Sequence, residues 1–265
     1  MNDADKQTGH EELWKQVFGE GHPVLVKKQR RFLSWPNDPR CKLCYAPFAG
    51  FGGFFVRLSG TMPSDRNPHY CNKCDSFLQA FPGGAEVLMT VLILDIRGSV
   101  DLSGKISPKL YADTVNQMRE ITSEIIAANN GFILEFQGDS VVAVFPPGFT
   151  GQDHAEKGIA TAREILKQSL KIVGTDQTLS VGIGVHTGSV YICTVTAAGG
   201  NMQGVGVFGQ NVNLVARLSA AADAGQALVS IEAASEAKLD CDNENTAELE
   251  LKGLESPQQV VRLDF

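Results

Sequence analysis

The sequence predicts an α+β domain over residues 86–265, preceded by a small four-cysteine module over 41–85 and an N-terminal arm over 1–40. Three observations carry this division. Two Cys-x-x-Cys pairs, Cys41/Cys44 and Cys71/Cys74, stand 26 residues apart in a stretch rich in glycine and aromatic residues. From Glu86 onward, β-branched apolar runs alternate with segments of helical periodicity. Charge changes sign at the boundary: residues 1–85 hold 11 basic against 8 acidic side chains, and residues 86–265 hold 12 against 22.

The chain of 265 residues, 43% hydrophobic and 20% charged, has the composition of a globular protein. Its longest apolar run, 87–94, is too short to span a bilayer, and Met1-Asn-Asp-Ala-Asp-Lys opens on acids instead of the basic-then-apolar pattern of a signal peptide. A cytoplasmic protein without a membrane partner is expected. The acidic larger part disfavours nucleic acid as a partner. Lys27, Lys28, Arg30, Arg31, Arg40 and Lys42 are the feature that argues for it, but the first 85 residues are only +3 net.

Taken in order, residues 1–20 are polar, with one amphipathic piece at Leu13, Trp14, Val17 and Phe18 that reads as a docking helix or a loose arm. Residues 27–42 are basic and lie among Pro23, Pro36 and Pro39, which favours extended, turn-rich chain over helix. Each Cys-x-x-Cys forms a tight knuckle, and two knuckles complete a tetrahedral site for structural Zn²⁺ from Cys41, Cys44, Cys71 and Cys74. An iron–sulfur centre is the alternative, and a cytoplasmic setting argues against disulfides. Four thiolates close such a site, which leaves His69 outside it and Cys193 and Cys241 as plain thiols. The spacer, with Gly50-Phe51-Gly52-Gly53-Phe54-Phe55, reads as a loop-rich module held by metal in place of a core.

In the larger part, strand 87–94 ends at Asp95 and leads through Ile96-Arg97-Gly98-Ser99 to a helix that starts at Ser107-Pro108, a capping serine before a first-turn proline. Leu110, Val115, Met118, Ile121, Ile125 and Ile126 mark its apolar face. Residues 131–147 then read as a hairpin, with the Gly138-Asp139 turn lifting one carboxylate to its tip. Asp95 and Asp139, each at the end of a buried strand, are the one or two carboxylates from which a Mg²⁺ site for nucleotide phosphates is made. A helix over 153–173, strands over 179–186 and 190–195 joined by a Thr187-Gly188 turn, and a glycine-rich loop over 197–206 follow. The next helix puts Asn213 and Arg217 four apart on one face. A further strand and helix and a terminal strand pair, 247–252 and 259–263, close the chain.

With the acids and the Asn-x-x-x-Arg helix placed, residues 86–265 resemble the class III nucleotidyl cyclase catalytic domain. The resemblance rests on Leu94-Asp95-Ile96, Gly138-Asp139-Ser-Val-Val-Ala-Val-Phe145, Val181-Gly-Ile-Gly-Val-His186-Thr-Gly188 and Phe208-Gly209-Gln-Asn-Val212-Asn213-Leu-Val-Ala-Arg217-Leu218, in this order. It implies a ferredoxin-like domain that works as a head-to-tail homodimer with shared active sites. Asp95, Asp139 and the Ile96 carbonyl would hold two Mg²⁺ or Mn²⁺ ions. Arg217 would stabilise charge on the α-phosphate, Asn213 would orient the ribose, and Lys252 would bind the phosphates of the nucleoside triphosphate.

The sequence departs from the family at base recognition. Adenylate cyclases carry lysine where this chain has Glu135, and Asp or Thr, or in guanylate cyclases often Cys, where it has Gly206. A carboxylate pairs with a ring N–H, which uracil and guanine offer and adenine does not, so a mismatched base leaves it buried and unpaired. Asp-Ile-Arg97-Gly-Ser also resembles the bacterial pyrimidine cyclases of Pycsar anti-phage systems, where a bulky residue at this place narrows the pocket for a one-ring base. Conversion of UTP to 3′,5′-cyclic UMP and pyrophosphate, as a second messenger in anti-phage defence, is the first expectation. Guanylate or adenylate cyclase activity in bacterial signalling, and an inactive cyclase-like binding module, are the alternatives.

Overall fold

The structure, a computed structural model, describes residues 10–35, 39–197, 202–239, 241, 245–254 and 256–264. The start of the arm (1–9), Pro36 and the centre of the glycine-rich loop (198–201) lie outside them. The chain divides into two compact units: Met1–Val87 with Pro147–Gly151 and Tyr191–Phe208, and Leu88–Pro146 with Gln152–Val190 and Gly209–Phe265.

In the first unit the N-terminal segment is built into a core. A π-helical turn, Lys15–Glu20, buries Val17 and Phe18. Trp14 and Phe18 are fully buried and stacked, and the Trp14 indole N–H donates to the Phe81 carbonyl at 3.0 Å. Helix α1, Pro23–Leu33, corrects the expectation of extended chain. Pro23 sits in its first turn, where the missing N–H costs nothing, and the later prolines follow the helix without interrupting it. Buried Gln29 ties α1 to the first cysteine knuckle by donating to the Leu43 carbonyl at 2.8 Å. The glycine–phenylalanine spacer is also helical, as α2, Gly50–Leu58, and α3, Asn72–Ala80, starts within the second knuckle.

The second unit carries most of a β-sheet, of which residues 84–87, 191–197 and 202–208 belong to the first. Its strands are β1 (Gly84–Ile96), β2 (Phe132–Gln137), β3 (Ser140–Phe145), β4 (Val181–Ala197), β6 (Gln226–Ser230), β7 (Thr246–Leu249) and β8 (Gln258–Asp264). They lie in the order β2-β3-β1-β4-β6-β8-β7, with β5 (Met202–Phe208) paired to β4. Read from the other side, the first four stand as β4-β1-β3-β2, the order of a split βαβ motif and so of a ferredoxin-like domain. Short α4, Ser99–Lys105, leads into α5, Pro108–Ala128, which starts as its sequence predicts: the Ser107 hydroxyl accepts from the Leu110 N–H. Helix α5 and α7, His154–Lys167, pack over a core that includes Leu92, Leu94, Met118, Ile126, Phe145, Ile165 and Val185.

Three boundaries differ from expectation. Helix α7 ends at Lys167, and an isolated bridge between Lys171 and Thr178 takes up the chain beyond it. No turn interrupts β4 at Thr187-Gly188: the strand runs 17 residues, and Gly188 serves close packing, since a Cβ there would lie 2.7 Å from His186 Nε2 and 2.6 Å from Asn211 Nδ2. Part of the expected glycine-rich loop is β5, paired antiparallel to the end of β4 from Tyr191↔Phe208 to Ala197↔Met202. Between β3 and α7 lies α6, Pro147–Thr150, and helix α8, Gln210–Ala221, precedes β6, which runs straight into α9, Ile231–Glu236.

Candidate active site

Strand pairing brings the two acids together. β1 and β3 are antiparallel, with Leu94 opposite Val141, so the next residue of β1, Asp95, faces Ser140, and Asp139 follows at the hairpin tip. The Ser140 hydroxyl donates to Asp95 Oδ1 at 2.7 Å. Gln137 pairs with Ser140 and leaves a two-residue turn in which Gly138 takes φ +58°, as Gly138-Asp139 predicts. Arg119 closes the turn by donating to the Gly138 carbonyl. Tyr111, on α5, donates its phenol to Asp139 Oδ2 at 3.2 Å. Burial and the Asp139 charge push that phenol up, which keeps it a donor.

Both acids are partly exposed, on the ends of rigid strands, and offer only oxygen. Such a donor set fits a hard divalent ion whose shell is completed by water and phosphate. Ile96, the last residue of β1, is buried and fixes the chain beside Asp95. Arg97 turns back on the site: its guanidinium meets Asp95 Oδ2 at 2.7 Å and the Ala220 carbonyl at 3.1 Å. Asp95 thus has a partner on each oxygen. Sequence reasoning missed Ser140 and Tyr111, because register and helix phase, not motif, bring them to the acids.

Asn213 and Arg217 are exposed on α8. Helix α8 is anchored from the side by a polar chain that sequence reasoning also missed. Buried His186 holds Ser230 Oγ through Nδ1 at 2.7 Å and Asn211 Oδ1 through Nε2 at 3.1 Å, and Asn211 donates to the Ser189 carbonyl at 2.8 Å. Burial pushes the His186 pKa down. Glu135 is exposed on β2, where a bulge between Ile133 and Glu135 shifts the register, and it accepts from Gln137 Nε2 at 2.5 Å. Lys252 is exposed after β7. Gly206 lies in β5 opposite Cys193, in the other unit, and a Cβ there would come 2.7 Å from Val195 Cγ1. The strand therefore has no room for a longer side chain at that position without moving Val195.

The four cysteines of the first unit converge. The ligand atoms of Cys41, Cys44, Cys71 and Cys74 lie within 4.8 Å of one another, all from buried residues, and Cys44 and Cys71 Sγ are 3.7 Å apart. A tetrahedral ion with metal–sulfur bonds of about 2.3 Å sets its sulfurs about 3.8 Å apart, so the cage has the size zinc needs. The Cys71 N–H donates to Cys41 Sγ at 3.2 Å, a contact that favours a thiolate. His69 stays outside this cluster.

The family model for the adenylate and guanylate cyclase catalytic domain matches residues 86–262. Adenylate cyclase 1 of Rhizobium meliloti (strain 1021) is 27% identical over 136 residues, which is 49% of this chain and 20% of that protein. The chain spans about a fifth of the length of the curated relatives it matches. Among solved structures, the adenylyl cyclase CyaB from P. aeruginosa is 26% identical with a TM-score of 0.58, covering 67% of this chain and 94% of that one. The guanylyl cyclase Cya2 is 24% identical with a TM-score of 0.58, covering 68% and 93%, a likeness of fold.

Proposed function

The chain belongs to the family of adenylate and guanylate cyclase catalytic domains, and from this premise we propose that it converts a nucleoside triphosphate to a 3′,5′-cyclic nucleotide and pyrophosphate. The observation that carries the proposal is the pair of carboxylates that β1–β3 pairing brings to one end of the sheet: Asp95 accepts from the Ser140 hydroxyl at 2.7 Å, and Asp139 precedes Ser140 in the hairpin turn. In this reading Asp95 and Asp139, with the Ile96 carbonyl, hold two Mg²⁺ or Mn²⁺ ions. When bound, these ions lower the pKa of the attacking 3′-hydroxyl and neutralise the triphosphate.

The protein's own groups do the rest. Ser140 and Tyr111 orient the two carboxylates. Arg217 stabilises charge developing on the α-phosphate, Asn213 orients the ribose, and Lys252 binds phosphate. Asn213 and Arg217 are exposed on their own chain, which supports a head-to-tail homodimer whose two sites each draw on both subunits. Survival of both acids, Asn213 and Arg217 speaks against an inactive binding module. The cysteine cage holds structural Zn²⁺ in this reading, with no open position for substrate.

For the base we propose uracil, with Glu135 accepting its ring N–H and Gly206 offering nothing to a purine's exocyclic group. A Cβ at Gly206 would meet Val195, so packing by itself accounts for the glycine and the uracil reading rests on Glu135. Arg97 gives less support than its motif suggests, since its guanidinium is engaged by Asp95. Guanylate cyclase activity is therefore the second reading, because guanine also presents an N–H to Glu135. A role of cyclic UMP in anti-phage defence rests on the Asp-Ile-Arg-Gly-Ser resemblance. Incubating the protein with each of the four nucleoside triphosphates and Mn²⁺, and identifying products by mass spectrometry, is the test. Cyclic UMP is expected; a preference for GTP overturns the pyrimidine assignment, and a preference for ATP overturns the role of Glu135 as well.

A further inference from the structure

Arg97 is held on Asp95 by more than one contact. Nη2 reaches Asp95 Oδ2 at 2.7 Å, while Nη1 donates to the Ala220 carbonyl at 3.1 Å and approaches that of Ala222 at 3.5 Å. These carbonyls belong to the last turn of α8 and its C-cap, where the helix dipole favours a cation. The guanidinium lies against Gly182 at the start of β4, so closely that a Cβ there would be 2.9 Å from Nε. The Arg97 main chain is fixed too, its N–H donating to the Ser180 carbonyl at 2.9 Å. The side chain is 18% exposed. This is a seated cation, on an oxygen that the proposed function assigns to a divalent ion.

We infer that Arg97 is a built-in counter-cation that competes with the catalytic divalent ion for Asp95 and sets the metal concentration at which the site fills. The inference rests on the metal-binding reading of Asp95 and Asp139. An ion on Oδ2 must displace a charge-assisted hydrogen bond and sit beside a fixed positive charge, and both effects weaken its binding. The α8 carbonyls keep Arg97 in place when Asp95 is lost to it, so the guanidinium does not simply swing into solvent. Arg97 therefore also links occupancy of the metal site to the helix that carries Asn213 and Arg217.

Mn²⁺ binding to the 265-residue chain without nucleotide, followed by electron paramagnetic resonance of the free ion, tests this apart from activity. Arg97→Gln removes the charge and should tighten Mn²⁺ binding by about tenfold or more, the effect of one charge at this range. Arg97→Lys keeps the charge and should stay near the wild type. Arg97→Met keeps an apolar stem against Gly182 and repeats the measurement if the glutamine variant does not fold. Equal affinity in wild type and Arg97→Gln, with binding lost in Asp95→Asn, overturns the competition and leaves the metal site standing. Unchanged Mn²⁺ binding in both Asp95→Asn and Asp139→Asn overturns the metal reading, and the competition with it.

Discussion

Asp95 and Asp139 sit at strand ends instead of inside the core, so removing either carboxylate should cost chemistry and little stability. Asp95→Ala or Asp139→Ala should reduce cyclase turnover to background while circular dichroism and melting temperature stay close to the wild type. Wild-type rates in either would remove the acids from the mechanism. Glu135→Lys exchanges an acceptor for a donor at the proposed base contact and should cut UTP turnover by roughly ten- to hundredfold, the equivalent of about 1.4–2.8 kcal/mol. Two buried histidines make a separate prediction. His154 accepts or donates at Thr90 Oγ1 (2.9 Å), His186 bridges Ser230 and Asn211, and burial pushes both pKa values down. The unfolded chain then binds protons more readily than the folded one, so the stability these residues contribute is complete above the ordinary histidine value of about 6.5 and is lost as pH falls through it. Melting temperature should fall between pH 7 and pH 5, and His186→Gln should flatten that dependence.

At the level of elements, close approach decides what sequence patterns leave open. Helix α6 packs so tightly on the π-helical turn that a Cβ at Gly148 would overlap the Val17 carbonyl. Because the obstruction is backbone, Gly148→Ala should destabilise by about 1–3 kcal/mol, read as a loss of several degrees in melting temperature. An unchanged melting curve would mean that the turn is free to move away. Gly188 explains why a Thr-Gly pair that resembles a turn lies within a strand: the glycine makes room for His186 and Asn211, the pair that anchors α8. Alternation marks both halves of β4 as strand, but only packing tells a glycine that turns a chain from one that admits a neighbour.

On the scale of the molecule, the proposed shared site and the cysteine cage each predict a result. Asp139→Ala and Arg217→Ala proteins, each inactive alone, should regain activity when mixed under conditions of subunit exchange, since one site of the heterodimer then has both halves intact. Failure to regain it would place the whole site within one chain. Removal of metal by a chelator, or Cys44→Ser, should open residues 30–80 to protease while the cyclase domain stays compact, and elemental analysis of native protein should find zinc. Because α1 and the N-terminal turn fold in the same unit as the cysteines, the region released should reach further toward the N-terminus than the cage itself. Among the described residues no helix is long and apolar enough to cross a membrane.

Chemistry that depends on neighbours in the chain was legible in the sequence. The cysteine knuckles, the Gly138-Asp139 turn, the Ser107 cap and the i,i+4 pair Asn213/Arg217 each follow from spacing along one backbone, and the structure has the expected local form at each. Tertiary structure alone decided which groups meet. It set Ser140 and Arg97 on the two oxygens of Asp95, put Tyr111 on Asp139, and seated α8 on His186. It also made a helix of 23–33, where prolines and charge suggested extended chain, because a proline at a helix start breaks nothing and Gln29 finds its partner fourteen residues away. The physical reason is the same in every case. Strand register, helix phase and burial are settled by contacts between distant segments, and a residue's partners are therefore a property of the packed chain, not of its motif.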